Sequence, residues 1–154
     1  WTKVFTTLVD ESENKDPHKC PVFIAATKFD FNSFTSIDAK NYVWFYAYEN
    51  QWFQIELTKC AAILNGFRIK RTETSKLKRY KLICTDDSSK PVSSWTTLIE
   101  IDEKTIDEHE ILDIYKFKRP SPPAKFVRLV HTGKNWDDKL DISFYNFDLF
   151  GTYF

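Results

Sequence analysis

The chain has 154 residues, a length that fits one domain able to bury a core without disulfides or a metal. Aromatic residues make up 17% of it, and Lys+Arg and Asp+Glu each total 22, so the formal net charge is zero. This composition excludes a disordered chain, which would be poor in aromatics, and it argues against a global field that attracts nucleic acid or an anionic membrane.

Strand patterns dominate the first half of the chain. A short apolar run at 22–26 follows Pro21. Positions 52–57 alternate, with Phe53, Ile55 and Leu57 on one side and polar or aromatic residues on the other. The pair Asn65-Gly66 predicts a turn before the alternating stretch 67–70.

The second half continues in the same way. The runs 80–84, 95–99, 111–117 and 126–130 predict strands, separated by a polar turn at 86–89 and a loop at 120–123. The last strand places Tyr145, Phe147 and Leu149 on one face and stops at Gly151. Helical signals are confined to 1–9 and 105–112. About eight antiparallel strands predict an all-β jelly-roll sandwich.

The cysteine count indicates the compartment. Three cysteines, Cys20, Cys60 and Cys84, do not form a disulfide framework, and the chain has no Asn-x-Ser/Thr sequon. We therefore expect an intracellular, cytoplasmic location, with Cys84 as a small buried apolar residue. Because the sequence begins at Trp1 and contains no Met, we expect residues 1–154 to be a single domain excised from a longer protein.

Four stretches carry a resemblance to a known family. Positions 50–57 are similar to the family strand NQWxxxDL, and positions 95–98 are similar to its WTxI motif. Positions 64–71 and 77–82 together are similar to the strand pair VxxYxIRS…LKSWxLEGS. Positions 125–133 and 147–152 together are similar to KYIRLxQTG…FEFFGT. The chain thus resembles the coagulation-factor type C, or discoidin, domain family, with its galactose-binding-like jelly roll. It looks most like the variant in intracellular BTB-type multidomain proteins. The paired terminal cysteines of extracellular members are missing, which puts an extracellular role in doubt.

The resemblance implies that four loops, 28–41, 44–51, 71–79 and 132–141, gather at the end of the sandwich opposite the chain termini. The residues of each loop also have a purely structural interpretation, as aromatic side chains packed beneath the loop, as the edge of the core, or as charged side chains in solvent. The candidate ligand-binding residues in these loops are Phe31, Phe34, Tyr46, Tyr48, Glu49, Arg71, Lys76, Lys134 and Trp136. Aromatic rings with polar tips suit sugar stacking or protein contact, and Arg71 could bind a carboxylate or phosphate.

Catalytic and metal signals are weak. The sequence has no Gly-x-Ser-x-Gly, His-Glu-x-x-His or P-loop motif, and His18, His109 and His131 are far apart. His18 and Cys20 lack a second pair with ligand spacing, and the carboxylate pairs at 86–87 and 137–138 read as solvated turns. We expect no catalytic residue, no metal and no cofactor.

Charge is unevenly distributed. Segment 68–81 is basic and segment 100–113 is acidic, so the two either pair with each other and with water or leave a basic contact face. The leading hypothesis is a non-catalytic recognition module for a protein or glycan ligand. The alternatives are nucleic-acid or anionic-lipid binding through 68–81, a structural domain that packs on its parent protein, and an enzyme.

Overall fold

The computed structural model describes residues 22–25, 43–45, 52–58, 60–72, 76–104 and 112–154. Within these ranges, nine strands form two antiparallel sheets, which confirms the all-β sandwich. The strands are β1 Val22–Ala25, β2 Val43–Phe45, β3 Trp52–Leu57, β4 Ala62–Arg71, β5 Arg79–Thr85, β6 Thr96–Asp102, β7 Leu112–Lys116, β8 Phe126–His131 and β9 Ile142–Tyr153. One sheet has the order β1-β3-β8-β5-β6 and the other β2-β9-β4-β7.

Alternating apolar residues build the core between the sheets. Phe53, Ile55 and Leu57 are buried on β3, as the sequence predicts. The ring of Phe53 lies 5.1 Å from that of Phe144 and 5.3 Å from that of Phe147, so it joins the two sheets directly. Each side chain of this size stabilises the fold by about 1.5–3 kcal/mol relative to an exposed position.

Two details of the long β4–β9 pair differ from the sequence predictions. The turn expected at Asn65-Gly66 is wrong, because these residues continue β4 and the extra residue forms a bulge in the pairing with β9. A second register shift, at Lys70, changes the facing residues of β9. Phe144, rather than Tyr145, therefore joins Phe147 in the core, and β9 runs past Gly151 to Tyr153.

Strand register shows which connections lie at the same end of the sandwich. Arg79 pairs with Asp102, Tyr80 with His131, and Arg71 with Phe144 near the start of β9. The β4–β5, β6–β7 and β8–β9 connections therefore leave the sheets at one end, which we call the loop end. The C-terminal Phe154 pairs with Ala61 at the opposite end.

Within the described ranges, no helix has the length and apolarity needed to cross a membrane.

Candidate ligand-binding site

The carboxylate of Glu103 is the centre of the side-chain cluster at the loop end. It accepts hydrogen bonds from Arg71 Nη1 at 2.9 Å, from the Tyr115 hydroxyl at 2.8 Å and, more weakly, from Trp136 Nε1 at 3.4 Å. These donors come from β4, β7 and the β8–β9 loop. Because an ionised carboxylate offers about four acceptor positions, the three donors present among the described residues leave Glu103 capacity for one further donor.

Local strand geometry explains how these donors meet. Phe67, Ile69 and Arg71 alternate on the buried face of β4, so Arg71 follows the apolar stripe at the point where the core ends. Tyr115 stacks its ring on Phe67 with the centroids 4.8 Å apart. Glu103, which directly follows β6, forms an ion pair with Arg71, whose side chain is only 4% exposed.

Asn135 organises the loop that carries Trp136. Its Oδ1 accepts the backbone N–H groups of Asp137 and Lys139 at 2.9 and 3.0 Å, and its Nδ2 donates to the backbone and side-chain oxygens of Asp141. Asp138 closes the turn at φ 59°, a left-handed conformation that Asp tolerates better than most residues. The 132–141 loop therefore holds Trp136 through its own hydrogen bonds.

The indole of Trp136 is half-buried and has a cation on its face. Lys78 Nζ lies 4.4 Å from the ring centroid, within the range of cation–π attraction. The Trp136 backbone N–H donates to the Lys76 carbonyl at 3.1 Å, and the Glu103 N–H donates to the Lys78 carbonyl at 3.0 Å. The β4–β5 connection is thus fastened to both neighbouring connections.

His131 lies beneath this loop at the end of β8. Its Nδ1–H donates to the Leu140 carbonyl at 3.0 Å, and its buried Nε2 has no hydrogen-bond partner among the described residues. Burial lowers the pKa of His131 from its usual 6.5, although Leu140 and the charge of Asp141 partly oppose that effect. The ring is therefore neutral at physiological pH.

Four of the sequence-predicted site residues fall in the described part of the chain. Arg71, Lys76 and Trp136 lie in the Glu103 cluster, whereas Lys134 is exposed and pairs with Asp138 at 3.2 Å. The role of these residues as ligand contacts stays a prediction. The other five candidates lie outside the described residues: Phe31, Phe34, Tyr46, Tyr48 and Glu49.

Sequence reasoning missed Glu103 and Tyr115 as members of the site, whereas Lys78 falls within the predicted binding loop 71–79. The available signal was the opposite charge of segments 68–81 and 100–113, which pair at Arg71–Glu103 and at Arg79–Asp102. Pairing was one of the two interpretations left open. The Arg71–Glu103 pair places an acidic residue at the loop end, beside the loop 71–79 that the sequence predicts to be basic.

Among the described residues, a cavity of about 320 Å³ at the opposite end of the sandwich is a competing location. Its lining includes Cys84, Thr85 and the ion pair of Asp86 with Lys90, and none of the described residues that line it is aromatic. Burial, with a smaller effect of Asp86, raises the pKa of the Cys84 thiol to about 11, so the thiol is unreactive at neutral pH. Because its described lining has no aromatic side chain and its thiol is unreactive, this cavity has fewer groups suited to ligand binding than the loop end has.

Metal binding has no structural support within the described ranges, where no group of three or more His, Cys, Asp or Glu side chains could hold an ion.

Two antiparallel sheets with this strand arrangement define a galactose-binding-domain-like, discoidin-type β-sandwich, and solved structures of that fold match the chain. A family 32 carbohydrate-binding module from Clostridium perfringens, in complex with GalNAc-β-1,3-galactose, has a TM-score of 0.65 and 14% identity over 85% of this chain and 96% of that one. The fold implied by the sequence resemblance is therefore confirmed.

Two further structures agree. A chitosan-binding module from a chitosanase/glucanase of Paenibacillus sp. IK-5 has a TM-score of 0.63 and 16% identity, over 84% of this chain and 93% of that one. The family 32 module of AlyQ, in complex with 4,5-unsaturated mannuronic acid, has a TM-score of 0.62 and 16% identity, over 84% of this chain and 94% of that one. No protein-family model and no curated protein matches the sequence.

Proposed function

We propose that this chain is a non-catalytic recognition module that binds a glycan through the loop end of its sandwich. The observation that carries the proposal is the pairing of a half-buried indole, Trp136, with a carboxylate, Glu103, that has an acceptor position to spare. Sugars present apolar C–H faces beside hydroxyl donors, so a ring surface next to a fixed acceptor suits them.

The structural neighbours support a glycan. They include complexes with GalNAc-β-1,3-galactose, galactose and 4,5-unsaturated mannuronic acid. Some neighbours are parts of enzymes, as in a truncated AlyQ that also has alginate lyase domains and of which this chain matches 32%. By analogy, we propose a binding role without catalysis for this chain.

Finer parts of the sequence resemblance belong to the same proposal. We propose an intracellular, cytoplasmic location, supported by the odd cysteine count and the missing sequon. From the sequence resemblance alone, we propose that the module belongs to a BTB-type multidomain protein. A protein partner at the loop end is the second candidate, because half-buried aromatic and basic residues are also common in protein interfaces.

Nucleic-acid or lipid binding through 68–81 has less support. Arg68, Arg71 and Arg79 in that segment form ion pairs with Asp148, Glu103 and Asp102, respectively. These pairs reduce the positive charge that the segment offers to a polyanion.

A glycan-array screen with two variants tests the proposal. Trp136→Ala should weaken binding to any glycan hit by roughly tenfold or more, since truncating a central aromatic contact commonly has such an effect. The matched control is Trp52→Ala, which removes an indole that is 37% exposed and packs against Arg128 on β8. Trp52→Ala should leave binding intact.

Two results would contradict the proposal. If no glycan is retained while a protein is captured from cell extract, the ligand is a protein. If Trp52→Ala abolishes glycan binding and Trp136→Ala does not, the ligand binds on the five-stranded sheet rather than at the loop end.

A further inference from the structure

Two lysines of the β4–β5 connection, Lys76 and Lys78, differ from Arg71 and Arg79 on either side of them. No ion pair or side-chain hydrogen bond joins the ammonium group of Lys76 or Lys78 to a described residue, and only the ring of Trp136 accompanies Lys78. The neighbouring basic residues are neutralised in the pairs Arg71–Glu103, Arg79–Asp102 and Lys134–Asp138. Among the described residues, the β4–β5 connection therefore has its unpaired positive charge at positions 76 and 78, and the exposed Lys139 adds a further positive charge in the neighbouring 132–141 loop.

The backbone at these positions is fixed. The carbonyls of Lys76 and Lys78 accept the N–H groups of Trp136 and Glu103, as described above. Between them, Leu77 is completely buried in the core. The backbone of both lysines is therefore held in place by hydrogen bonds and by the buried side chain of Leu77 between them.

Both side chains are also restricted before any ligand arrives. Lys76 is only 8% exposed, so its side chain is largely packed, and the ammonium of Lys78 lies 4.4 Å from the centre of the indole. A long flexible lysine normally loses much rotamer freedom when it grips a ligand. Here part of that loss has occurred in the folded state, which favours binding.

The position of Lys78 discriminates between kinds of sugar. Its ammonium covers one face of Trp136, so a neutral sugar that stacks on that face must first displace a cation from the ring. A sugar with a carboxylate or sulfate can instead pair with the ammonium where it is. The cation and the indole then act on the same ligand.

We propose that the ligand is an anionic glycan, whose carboxylate or sulfate group pairs with Lys76 and Lys78 while its ring contacts Trp136. This rests on the proposed glycan-binding function and specifies its ligand class. Arg71, which the sequence suggests as an anion-binding residue, forms an ion pair with Glu103, and its role as a ligand contact stays a prediction.

Three oligosaccharide probes separate the possible sources of charge: a neutral galacto-oligosaccharide, an oligogalacturonate that has only carboxylates, and a sulfated galactan oligosaccharide that has only sulfates. Binding of each is measured by titration calorimetry at low and high salt. We expect one or both anionic probes to bind at least tenfold more tightly than the neutral one, with affinity falling as salt rises.

Variants then assign the charge to its residues. The double variant Lys76→Gln/Lys78→Gln should weaken binding of the anionic probe by roughly tenfold or more. The matched control is Lys118→Gln/Lys125→Gln, which removes two exposed lysines at the opposite end and should change nothing. Thermal unfolding of both double variants shows whether each still folds.

The outcomes separate the two proposals. Equal binding of all three probes, unaffected by Lys76→Gln/Lys78→Gln, would overturn the anionic ligand while leaving glycan recognition intact. No binding to these probes, with no hit on the glycan array, would overturn both. Binding to phosphatidylserine vesicles or single-stranded DNA, but to no oligosaccharide, would assign the lysines to a different class of partner and overturn the proposal.

Discussion

Asn135 is 3% exposed and uses both ends of its amide within the 132–141 loop. Asn135→Ala removes these hydrogen bonds and leaves the N–H groups of Asp137 and Lys139 without their acceptor. We expect a loss of about 1–3 kcal/mol in the free energy of unfolding, measured with urea.

A milder substitution at the same position serves as the control. Asn135→Asp keeps an acceptor for the two N–H groups but places a second carboxylate beside Asp141. It should therefore lose stability as well, while preserving more of the loop than Asn135→Ala. Unchanged stability in Asn135→Ala would contradict the role given to this residue.

His131 makes stability depend on pH in a defined direction. Because burial lowers its pKa in the folded state, the unfolded chain binds the proton more readily. The stabilising effect of the neutral ring is complete above about pH 6.5 and declines as the pH falls below that value, towards the lower folded-state pKa. Urea unfolding between pH 7.5 and pH 5 measures the decline.

A non-titrating variant isolates this contribution. His131→Asn keeps an N–H near the Leu140 carbonyl and should flatten the pH dependence in that window. The exposed carboxylates Asp86 and Asp102, whose pKa values are lowered mainly by hydrogen bonds from Lys90 and Lys104, act at lower pH, below about 4. An identical slope in wild type and His131→Asn would contradict the assignment.

Arg128 alternates within the predicted strand 126–130, and this position predicts a structural, hydrogen-bonded side chain rather than a site residue. Both its Nε and Nη2 donate to Gln54 Oε1, and its guanidinium lies between the rings of Trp52 and Trp95. That prediction is confirmed.

At the scale of elements, the β4–β9 pair depends on a close approach at Gly151. A Cβ added there would lie 2.1 Å from the backbone oxygen of Ile63 and 2.9 Å from Cα of Leu64, next to the β4 bulge. Backbone atoms cannot move away without breaking the longest strand pair of the sandwich. We expect Gly151→Ala to cost roughly 3 kcal/mol or more, measured as a fall in Tm.

Gly133 offers a matched comparison. A Cβ there would meet Cδ of Arg79 at 2.7 Å, but Arg79 is an exposed, flexible side chain that can turn away. Gly133→Ala should therefore cost much less than Gly151→Ala. Equal effects of the two substitutions would show that backbone approach is not the cause.

Element predictions succeeded where the signal was local. The alternation of 52–57 depends only on which side chains face the core, and the structure buries Phe53, Ile55 and Leu57 as expected. The pair Asn65-Gly66 has the composition of a hairpin turn, but pairing with a strand more than 80 residues later makes it a bulge. A local pattern cannot reveal such a distant partner.

At the scale of the molecule, the candidate site combines three connections that leave both sheets. The sequence resemblance placed Arg71, Lys76 and Trp136 near one another, because it implied which loops share an end. Glu103 could not be chosen from seven acidic residues in 100–113, since its role depends on contacts with Arg71 and Trp136, which are 32 and 33 residues away.

The most direct test of this site is amide chemical-shift mapping of the ¹⁵N-labelled chain during titration with the oligosaccharide that it binds. We expect the largest shifts at the backbone amides of 76–78, 103 and 132–141 and at the Trp136 indole N–H. Shifts concentrated instead around the cavity at Cys84 and Thr96, or on the outer face of β3 and β8, would contradict the account.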